Sequence, residues 1–240
     1  LLATHANRVK EVIMANFSAQ EVRWRALGNL FVAEAYYRLK QYKEASHYYA
    51  QSMQEPSLEL QSRFYQAWSK YHEGEYPEAV RLCRLIIENS QANIKMREDA
   101  HFLMASSYFN ARSIEESVSA FQSYRRRYPQ GIHLAESYIN EGWGHKQLGR
   151  PKATVEVWKA LVSKMPKDPA AQQAQYLIGQ LYFSAGEYPL AAKATQDYLA
   201  RWPNSAKASD VLWLLAQTFY NSREDAKAIS AYKTFLGLYS

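Results

Sequence analysis

Apolar residues recur at three- and four-residue steps along most of the chain, a pattern typical of amphipathic helices. In residues 174–203, AQYLIGQLYFSAGEYPLAAKATQDYLARWP, one apolar stripe runs to Ala185, and a second follows Gly186. Glycine adopts the left-handed conformation common at helix ends. Pro189 suits the first turn of the next helix, where its missing N–H is not needed. The segment therefore predicts two helices joined by a short turn.

The same helix pair recurs along the chain. A small residue in each second helix returns at spacings of 34, 38, 37, 37 and 37, at Ala45, Ala79, Ser117, Thr154, Ala191 and Ala228. Another small residue stands twelve positions before each of these, at Ala33, Ala67, Ala105, Gly142, Gly179 and Ala216. A small residue inside a helix indicates that a second helix crosses close to it. The shared register predicts six repeats.

The repeats predict an all-α solenoid in which each helix pair contacts mainly its neighbours. The expected pairs are 21–39 and 42–54, 57–73 and 76–89, 93–111 and 114–127, 132–148 and 151–163, 169–185 and 188–200, and 205–221 and 224–238. We expect these to form one continuous domain over residues 21–240. Residues 3–17 carry another apolar stripe and predict an N-terminal helix, a partial repeat or a cap, within residues 1–20.

Two further features indicate a known family. Four repeats have an aromatic residue three positions after the first small residue, at Tyr36, Tyr108, Tyr182 and Phe219. Three repeats close on a residue followed by proline, at Tyr128-Pro129, Met165-Pro166 and Trp202-Pro203. Over about residues 20–240 the chain resembles the tetratricopeptide repeat family. That resemblance implies a right-handed superhelical solenoid of antiparallel helix pairs, which binds protein partners.

The length of most repeats narrows the resemblance. Repeats of 37 residues with aromatic–proline endings resemble those of bacterial envelope proteins, such as the outer-membrane assembly lipoprotein and the Tol-Pal-associated coordinator. This implies a scaffold in an envelope complex, periplasmic or associated with the outer membrane, in preference to a cytoplasmic one.

The family resemblance also implies a binding surface, because the first helix of each repeat lines a concave groove. Carried onto this sequence, the groove collects Tyr37, Phe64, Trp68, Tyr71, His72, Phe109, Trp143, Lys146, Tyr176, Gln180, Phe183, Trp213, Gln217 and Tyr220. Aromatic residues with amides and few charges are typical of peptide-binding surfaces. We expect Tyr36, Tyr108, Tyr182 and Phe219 to be buried between helices instead.

The net charge of +6 comes from one stretch. Residues 1–120 hold 14 basic and 14 acidic side chains, and residues 168–240 hold six of each. The excess lies in 125–167, a basic belt that includes Arg125, Arg126, Arg127, Arg150 and Lys152. The belt is either a solvated face or a contact for an acidic partner or an anionic membrane surface. Nucleic acid is disfavoured, because no recognisable binding motif is present.

Motifs for catalysis, metals and cofactors are missing from the sequence. The six histidines form no HExxH pair, and neither a Walker loop, a GxGxxG nor a GxSxG motif occurs. The one cysteine, Cys83, falls on the inner face of a second helix and is expected in the core. We therefore expect no catalytic residues, no metal, no cofactor and no transmembrane segment.

The favoured function is a non-enzymatic scaffold that binds a peptide segment or a partner domain in the groove. One alternative is a structural subunit that packs through its convex face and ends, with an empty groove. Another is the regulatory or targeting domain of a larger enzyme. Surface exposure of Trp68, Trp143 and Trp213 distinguishes the scaffold from the structural subunit.

Overall fold

The structure is a computed structural model that describes residues 19–239. This range holds twelve α-helices and no strand. In chain order they are α1 (Ala19–Arg38), α2 (Tyr42–Ser52), α3 (Pro56–Glu73), α4 (Tyr76–Glu88), α5 (Ile94–Asn110), α6 (Ile114–Arg127), α7 (Leu134–Gln147), α8 (Pro151–Lys164), α9 (Pro169–Ser184), α10 (Tyr188–Arg201), α11 (Ala208–Asn221) and α12 (Asp225–Tyr239). Every observed helix end lies within three residues of the expected one, which confirms the six helix pairs. The expected helix at 3–17 lies outside the described residues.

The described helices group into two compact units that divide after His133. Unit 1 contains α1–α6 and unit 2 contains α7–α12. Within each unit, consecutive helices pack on one another, and the first helices of neighbouring repeats also touch, α1 with α3, α3 with α5, α7 with α9 and α9 with α11. This is the stacking of an all-α helical repeat. The expected single continuous domain stays a prediction.

The small residues that define the repeat lie where the helices approach each other. All twelve of them are buried. A Cβ added to Gly179 on α9 would stand 3.1 Å from Cγ2 of Thr195 on α10. A Cβ added to Gly142 on α7 would overlap the indole nitrogen of Trp158, a side chain of α8 that is only 1% exposed. Close helix approach therefore sets the residue type at these positions.

The turns inside the repeats share one backbone conformation but not one residue type. Three carry a glycine with positive φ, at Gly74, Gly149 and Gly186. The same turn position in the other three repeats holds a basic residue with φ between 59° and 65°, at Lys40, Arg112 and Arg223. The spacing of these six residues follows the repeat spacing, so each turn is built in the same way. The left-handed conformation costs about 1–2 kcal/mol for a residue with a Cβ.

Several helices begin at residues that satisfy free backbone N–H groups. The Asn93 side chain accepts a hydrogen bond from the backbone N–H of Met96 at 2.8 Å, and Asp168 accepts one from Ala170 at 2.8 Å. Such caps typically contribute about 1 kcal/mol each. Proline occupies the first turn of α3, α4, α8, α9 and α10.

A buried carboxylate ties the segment after α6 to α5. The Glu98 Oε1 atom accepts hydrogen bonds from the Tyr124 hydroxyl at 2.6 Å and from the backbone N–H of Ile132 at 2.7 Å. The backbone N–H of His133 in turn donates to the Tyr124 hydroxyl at 3.1 Å. Desolvation, followed by the hydrogen bond to Glu98, raises the pKa of Tyr124 above its usual range. This network fixes the last residues of unit 1 to its third repeat.

Cys83 is fully buried in the core between α3, α4 and α5, as expected. Burial raises the pKa of its thiol above its usual range, so the side chain serves as a small apolar group. Among residues 19–239, no helix is both long and apolar enough to cross a bilayer. The same residues contain no cluster of three or more His, Cys, Asp or Glu side chains placed to hold a metal ion.

Replacing Arg223 with glycine should stabilise the fold, because glycine adopts the left-handed conformation of the last turn without the strain that a Cβ causes. The expected gain is about 1 kcal/mol in the free energy of unfolding, measured by urea denaturation. The matched control is Gly186→Ala, which introduces the strain at the equivalent turn and should lower stability by a similar amount. A result in which both variants match the wild type would contradict this account of the turns.

Replacing Gly142 with alanine should destabilise the fold, although alanine has the higher helix propensity. The new methyl group must displace the Trp158 ring, and such overpacking typically costs about 1–3 kcal/mol. Gly237→Ala on α12 is the control, since nothing lies within 4 Å of its Cβ position. Thermal melts should show a lower midpoint for Gly142→Ala and an unchanged or higher midpoint for Gly237→Ala.

Candidate partner-binding surfaces

Unit 1 presents a connected group of aromatic rings, here called the aromatic surface, made of Tyr37, Tyr42, Trp68, Tyr71 and His72. The His72 ring is at the centre. It stacks on Tyr42 with ring centroids 4.4 Å apart and on Trp68 at 6.1 Å, and it meets Tyr37 edge-on at 6.1 Å. Tyr71 contacts both Trp68 at 6.1 Å and His72 at 5.4 Å. The rings therefore form one continuous surface from α1 to α3.

Helix spacing explains why these side chains meet. Trp68, Tyr71 and His72 stand at steps of three and four residues on α3, which places them on one helix face. Trp68 and Tyr71 are half-buried because they also pack against the core that contains Ala67 and Leu82, whereas His72 is exposed. The surface is thus anchored below and open above.

The remaining groove candidates of unit 1 are Phe64 on α3 and Phe109 on α5. Asn110 on α5 donates a hydrogen bond from its side-chain amide to the Tyr71 hydroxyl at 2.8 Å. Phe64 packs edge-on against Tyr65 at 5.4 Å and against the core below α3. Phe109 is half-buried on α5. The structure therefore brings together Tyr37, Trp68, Tyr71 and His72, with Phe64 and Phe109 more peripheral.

Tyr42 was missed by the groove pattern, because it lies on a second helix and not on a first one. A recurring spacing could have found it. Tyr37 meets Tyr42 edge-on at 5.4 Å, Tyr71 meets Tyr76 at 5.7 Å, and Phe183 meets Tyr188 at 5.9 Å. Each pair spans the turn of its repeat at a separation of five residues. The second helix thus adds an aromatic ring beside the last groove residue of the first.

Partial desolvation favours the uncharged forms of the aromatic surface. It lowers the pKa of His72 even though this side chain remains partly exposed, so the neutral imidazole is favoured. Burial also raises the pKa of Tyr37, and the nearby Tyr42 and Tyr65 hydroxyls raise it further. At neutral pH the surface is therefore formed mainly by uncharged rings.

Unit 2 presents the other groove candidates as small groups on α7, α9 and α11. On α7, the Lys146 ammonium lies 4.6 Å from the ring centroid of Trp143, a cation–π contact, and Trp143 is half-buried against Trp158. On α9, the Gln180 amide donates to the Tyr176 hydroxyl at 2.8 Å.

The last helix pair of unit 2 carries the most exposed aromatic rings among these candidates. Trp213 is 44% exposed and Tyr220 is 59% exposed on α11. Trp213 rests against Tyr232 and Phe235 of α12, each with a centroid distance of 5.3 Å. Gln217, which stands between Trp213 and Tyr220 in the sequence, has a half-buried side chain.

The expected burial of four first-helix aromatics is correct for one of them. Phe219 is buried, whereas Tyr36, Tyr108 and Tyr182 are only half-buried. These three rings each meet a side chain of a second helix at the surface. Tyr36 stacks on Tyr48 at 5.5 Å, Tyr108 accepts a hydrogen bond from Arg84 at 2.7 Å, and Lys159 lies 5.9 Å from the Tyr182 ring centroid.

The basic belt is divided between the two units. Arg125, Arg126 and Arg127 occupy the last turn of α6 in unit 1, where positive charge complements the helix dipole. Arg125 is half-buried and the other two are exposed. Arg150 and Lys152 are exposed at the start of α8 in unit 2.

Comparisons with known proteins agree with the repeat architecture. Tetratricopeptide repeat family models match residues 99–131 and 139–206. The matches fall in both units and, with the six observed helix pairs, they support the tetratricopeptide repeat family. No curated protein sequence matches this chain significantly. The envelope subgroup stays a prediction.

Several solved structures are similar to this chain in fold. The apo form of RapI aligns with a TM-score of 0.68 and 10% identity, covering 98% of this chain and 73% of that one. BtubC (BKLC) from P. vanneervenii aligns with a TM-score of 0.57 and 14% identity, covering 92% of this chain and 90% of that one. The MamA protein aligns with a TM-score of 0.57 and 13% identity, covering 75% of this chain and 92% of that one. At these identities the likeness shows the fold alone.

The lowered pKa of His72 predicts a contribution to the pH dependence of stability. Because its folded-state pKa lies below the unfolded value of about 6.5, the unfolded chain binds more protons at acidic pH. The contribution is complete above about pH 6.5 and is lost as the pH falls toward the folded-state pKa. His72→Gln should therefore lose less stability than the wild type between about pH 7.5 and about pH 5.5. Parallel urea titrations at the two pH values test this, and an equal loss in both proteins would contradict it.

Proposed function

We propose that this chain is a non-enzymatic scaffold that binds a peptide segment or a partner domain through the first helices of its repeats. The observation that carries the proposal is the aromatic surface of unit 1. Tetratricopeptide repeats are generally an interaction fold, which supports a protein partner.

The aromatic surface has the properties of a binding hot spot. Tyrosine and tryptophan dominate the energetics of many interfaces, since they cover large areas with few rotatable bonds. Here each ring is also held by its neighbours and, for Trp68 and Tyr71, by the core below. A partner would therefore find rings that are already ordered, which reduces the entropy lost on binding.

Unit 2 supports a second contact surface of the same kind. Trp213 and Tyr220 are the most exposed rings among its groove candidates, and Lys146 over Trp143 adds a cation. The exposure of Trp213 supports the scaffold over a structural subunit with an empty groove, whereas Trp68 and Trp143 are only half-buried and do not distinguish the two. We regard the regulatory or targeting domain of a larger enzyme as the remaining alternative.

We further propose a bacterial envelope complex as the setting. The support is the sequence resemblance alone, through the 37-residue repeats and the closing residue–proline pairs. The exposed arginines Arg126 and Arg127 of the basic belt would then face an acidic partner or anionic head groups.

Replacing Trp68 with alanine should weaken partner binding at least about 10-fold, equivalent to about 1.4 kcal/mol. The reason is the loss of the largest ring of the aromatic surface, where truncation commonly costs about 2 kcal/mol or more. The partner is first captured from the source cell with the wild-type chain, and its affinity for each variant is then measured by calorimetry.

Trp24→Ala is the matched control, because Trp24 is 69% exposed on α1 and lies outside the groove positions. It should leave the affinity unchanged. Circular dichroism must show the same helical content and melting temperature range for both variants. If Trp68→Ala is folded and binds the captured partner as tightly as Trp24→Ala does, the aromatic surface is not the binding site.

A further inference from the structure

A cavity of about 290 Å³ opens in unit 2 where α8, α9 and α10 meet. Buried aliphatic side chains form its floor, with Val162 at 5%, Ile178 at 1% and Ala194 at 5% exposure. None of the groove candidates of unit 2 lines it. The cavity is bounded mainly by second helices and is therefore a separate site from the proposed groove.

The rim of this cavity is cationic. Lys159 from α8 and Lys193 and Arg201 from α10 line it, against the single carboxylate of Asp197. Lys193, Asp197 and Arg201 stand at four-residue steps, which places them on one face of α10. Within the described part of the chain, no ion pair engages any of these four side chains. Three cations around one carboxylate leave a local excess of positive charge above an apolar floor.

Unit 1 contains a related cavity of about 470 Å³ along α4, the second helix of its repeat, as α8 is in unit 2. Its cations are already engaged by the protein itself. Arg81 pairs with Glu78 through two hydrogen bonds of 2.7 and 2.6 Å, and Arg84 donates to the Tyr108 hydroxyl at 2.7 Å. Glu88 also lines this cavity, so two cations, one of them paired with Glu78, face one carboxylate, and the excess of positive charge is smaller than in unit 2.

Lys159 and Tyr182 occupy the same repeat positions in unit 2 as Arg84 and Tyr108 do in unit 1. The Lys159 ammonium remains 5.9 Å from the Tyr182 ring centroid and makes no ion pair in the described residues. The two cavities thus share a place in the repeat but differ in the availability of their cations. Charge complementarity points to an anionic ligand for the cavity of unit 2.

We propose that the unit 2 cavity binds a partner-chain segment that carries an acidic side chain beside an aliphatic one. The aliphatic side chain fits the floor of Val162, Ile178 and Ala194, and the carboxylate meets the rim of Lys159, Lys193 and Arg201. A free inorganic anion would satisfy the rim but would leave the floor unoccupied. The proposal does not depend on the groove function.

Methyl NMR of the full chain tests the proposal, with acetyl-Glu-Leu-Glu-Leu-amide as the probe. Saturable shifts of the Ile178 and Val162 methyl signals are expected. The neutral analogue acetyl-Gln-Leu-Gln-Leu-amide should bind at least about fivefold more weakly, because the exposed ion pairs are lost. Added salt should weaken the binding of the acidic peptide, since salt screens these charges.

Lys193→Glu should raise the dissociation constant of the acidic peptide about fivefold or more, because it replaces attraction with repulsion at the rim. Lys233→Glu is the matched control, since Lys233 is exposed on α12 and the change in net charge is identical. The control should bind as the wild type does. If Lys193→Glu fails to fold, the proposal is tested with the wild type alone, by comparing the acidic and neutral peptides and by measuring the effect of salt.

Three outcomes would overturn the proposal. The first is the absence of saturable shifts at Ile178 and Val162. The second is equal binding of the acidic and neutral peptides. The third is that sodium phosphate produces the same shifts as the peptide. That result would identify a general anion site in which the apolar floor plays no part. Failure here would leave the Trp68 test of the groove unaffected, because the two sites share no residue.

Discussion

The whole architecture depends on the close approach of the two helices within each repeat. Two small residues, one on each helix, make this approach possible, and their register sets where the next pair can stack. Gly142 shows how tight the constraint is, since the Trp158 indole occupies the space that any side chain at residue 142 would need. Larger residues on either side of each crossing then fill the cores between neighbouring pairs.

Much of the fold could be predicted because it depends on this local rule. The small-residue register and the turn positions are written in the sequence at fixed spacing, and helix ends follow from them. The left-handed conformation of Lys40, Arg112 and Arg223 could not be read from composition, because basic residues carry no turn signal. The repeat spacing forces that conformation on them, which is a case of tertiary context overriding local preference.

The candidate sites were less predictable for a different reason. Helix periodicity places Trp68, Tyr71 and His72 on one face, and the structure agrees. Periodicity along one helix cannot show which side chains of another helix reach that face, so Tyr42 was missed. For the same reason, periodicity did not show that Tyr108 and Tyr182, which were expected in the core, are only half-buried and lie near cations of second helices. The cavity of unit 2 requires three helices at once and has no signal in any single segment.

The six intra-repeat turns have a consequence for how this molecule can change over time. Each turn is a separate place in the chain, and the energetic effects of changes at distant, independent sites usually add. At Arg112, Gly149, Gly186 and Arg223, exchanging glycine and a basic residue therefore adjusts the total stability in small steps at places outside the aromatic surface. The turns at Lys40 and Gly74 differ, because they lie between Tyr37 and Tyr42 and between Tyr71 and Tyr76. Half of the turns here carry the strained residue and half the relaxed one. At four of the six turns, the stability of the fold can therefore change while the residues of the aromatic surface stay the same.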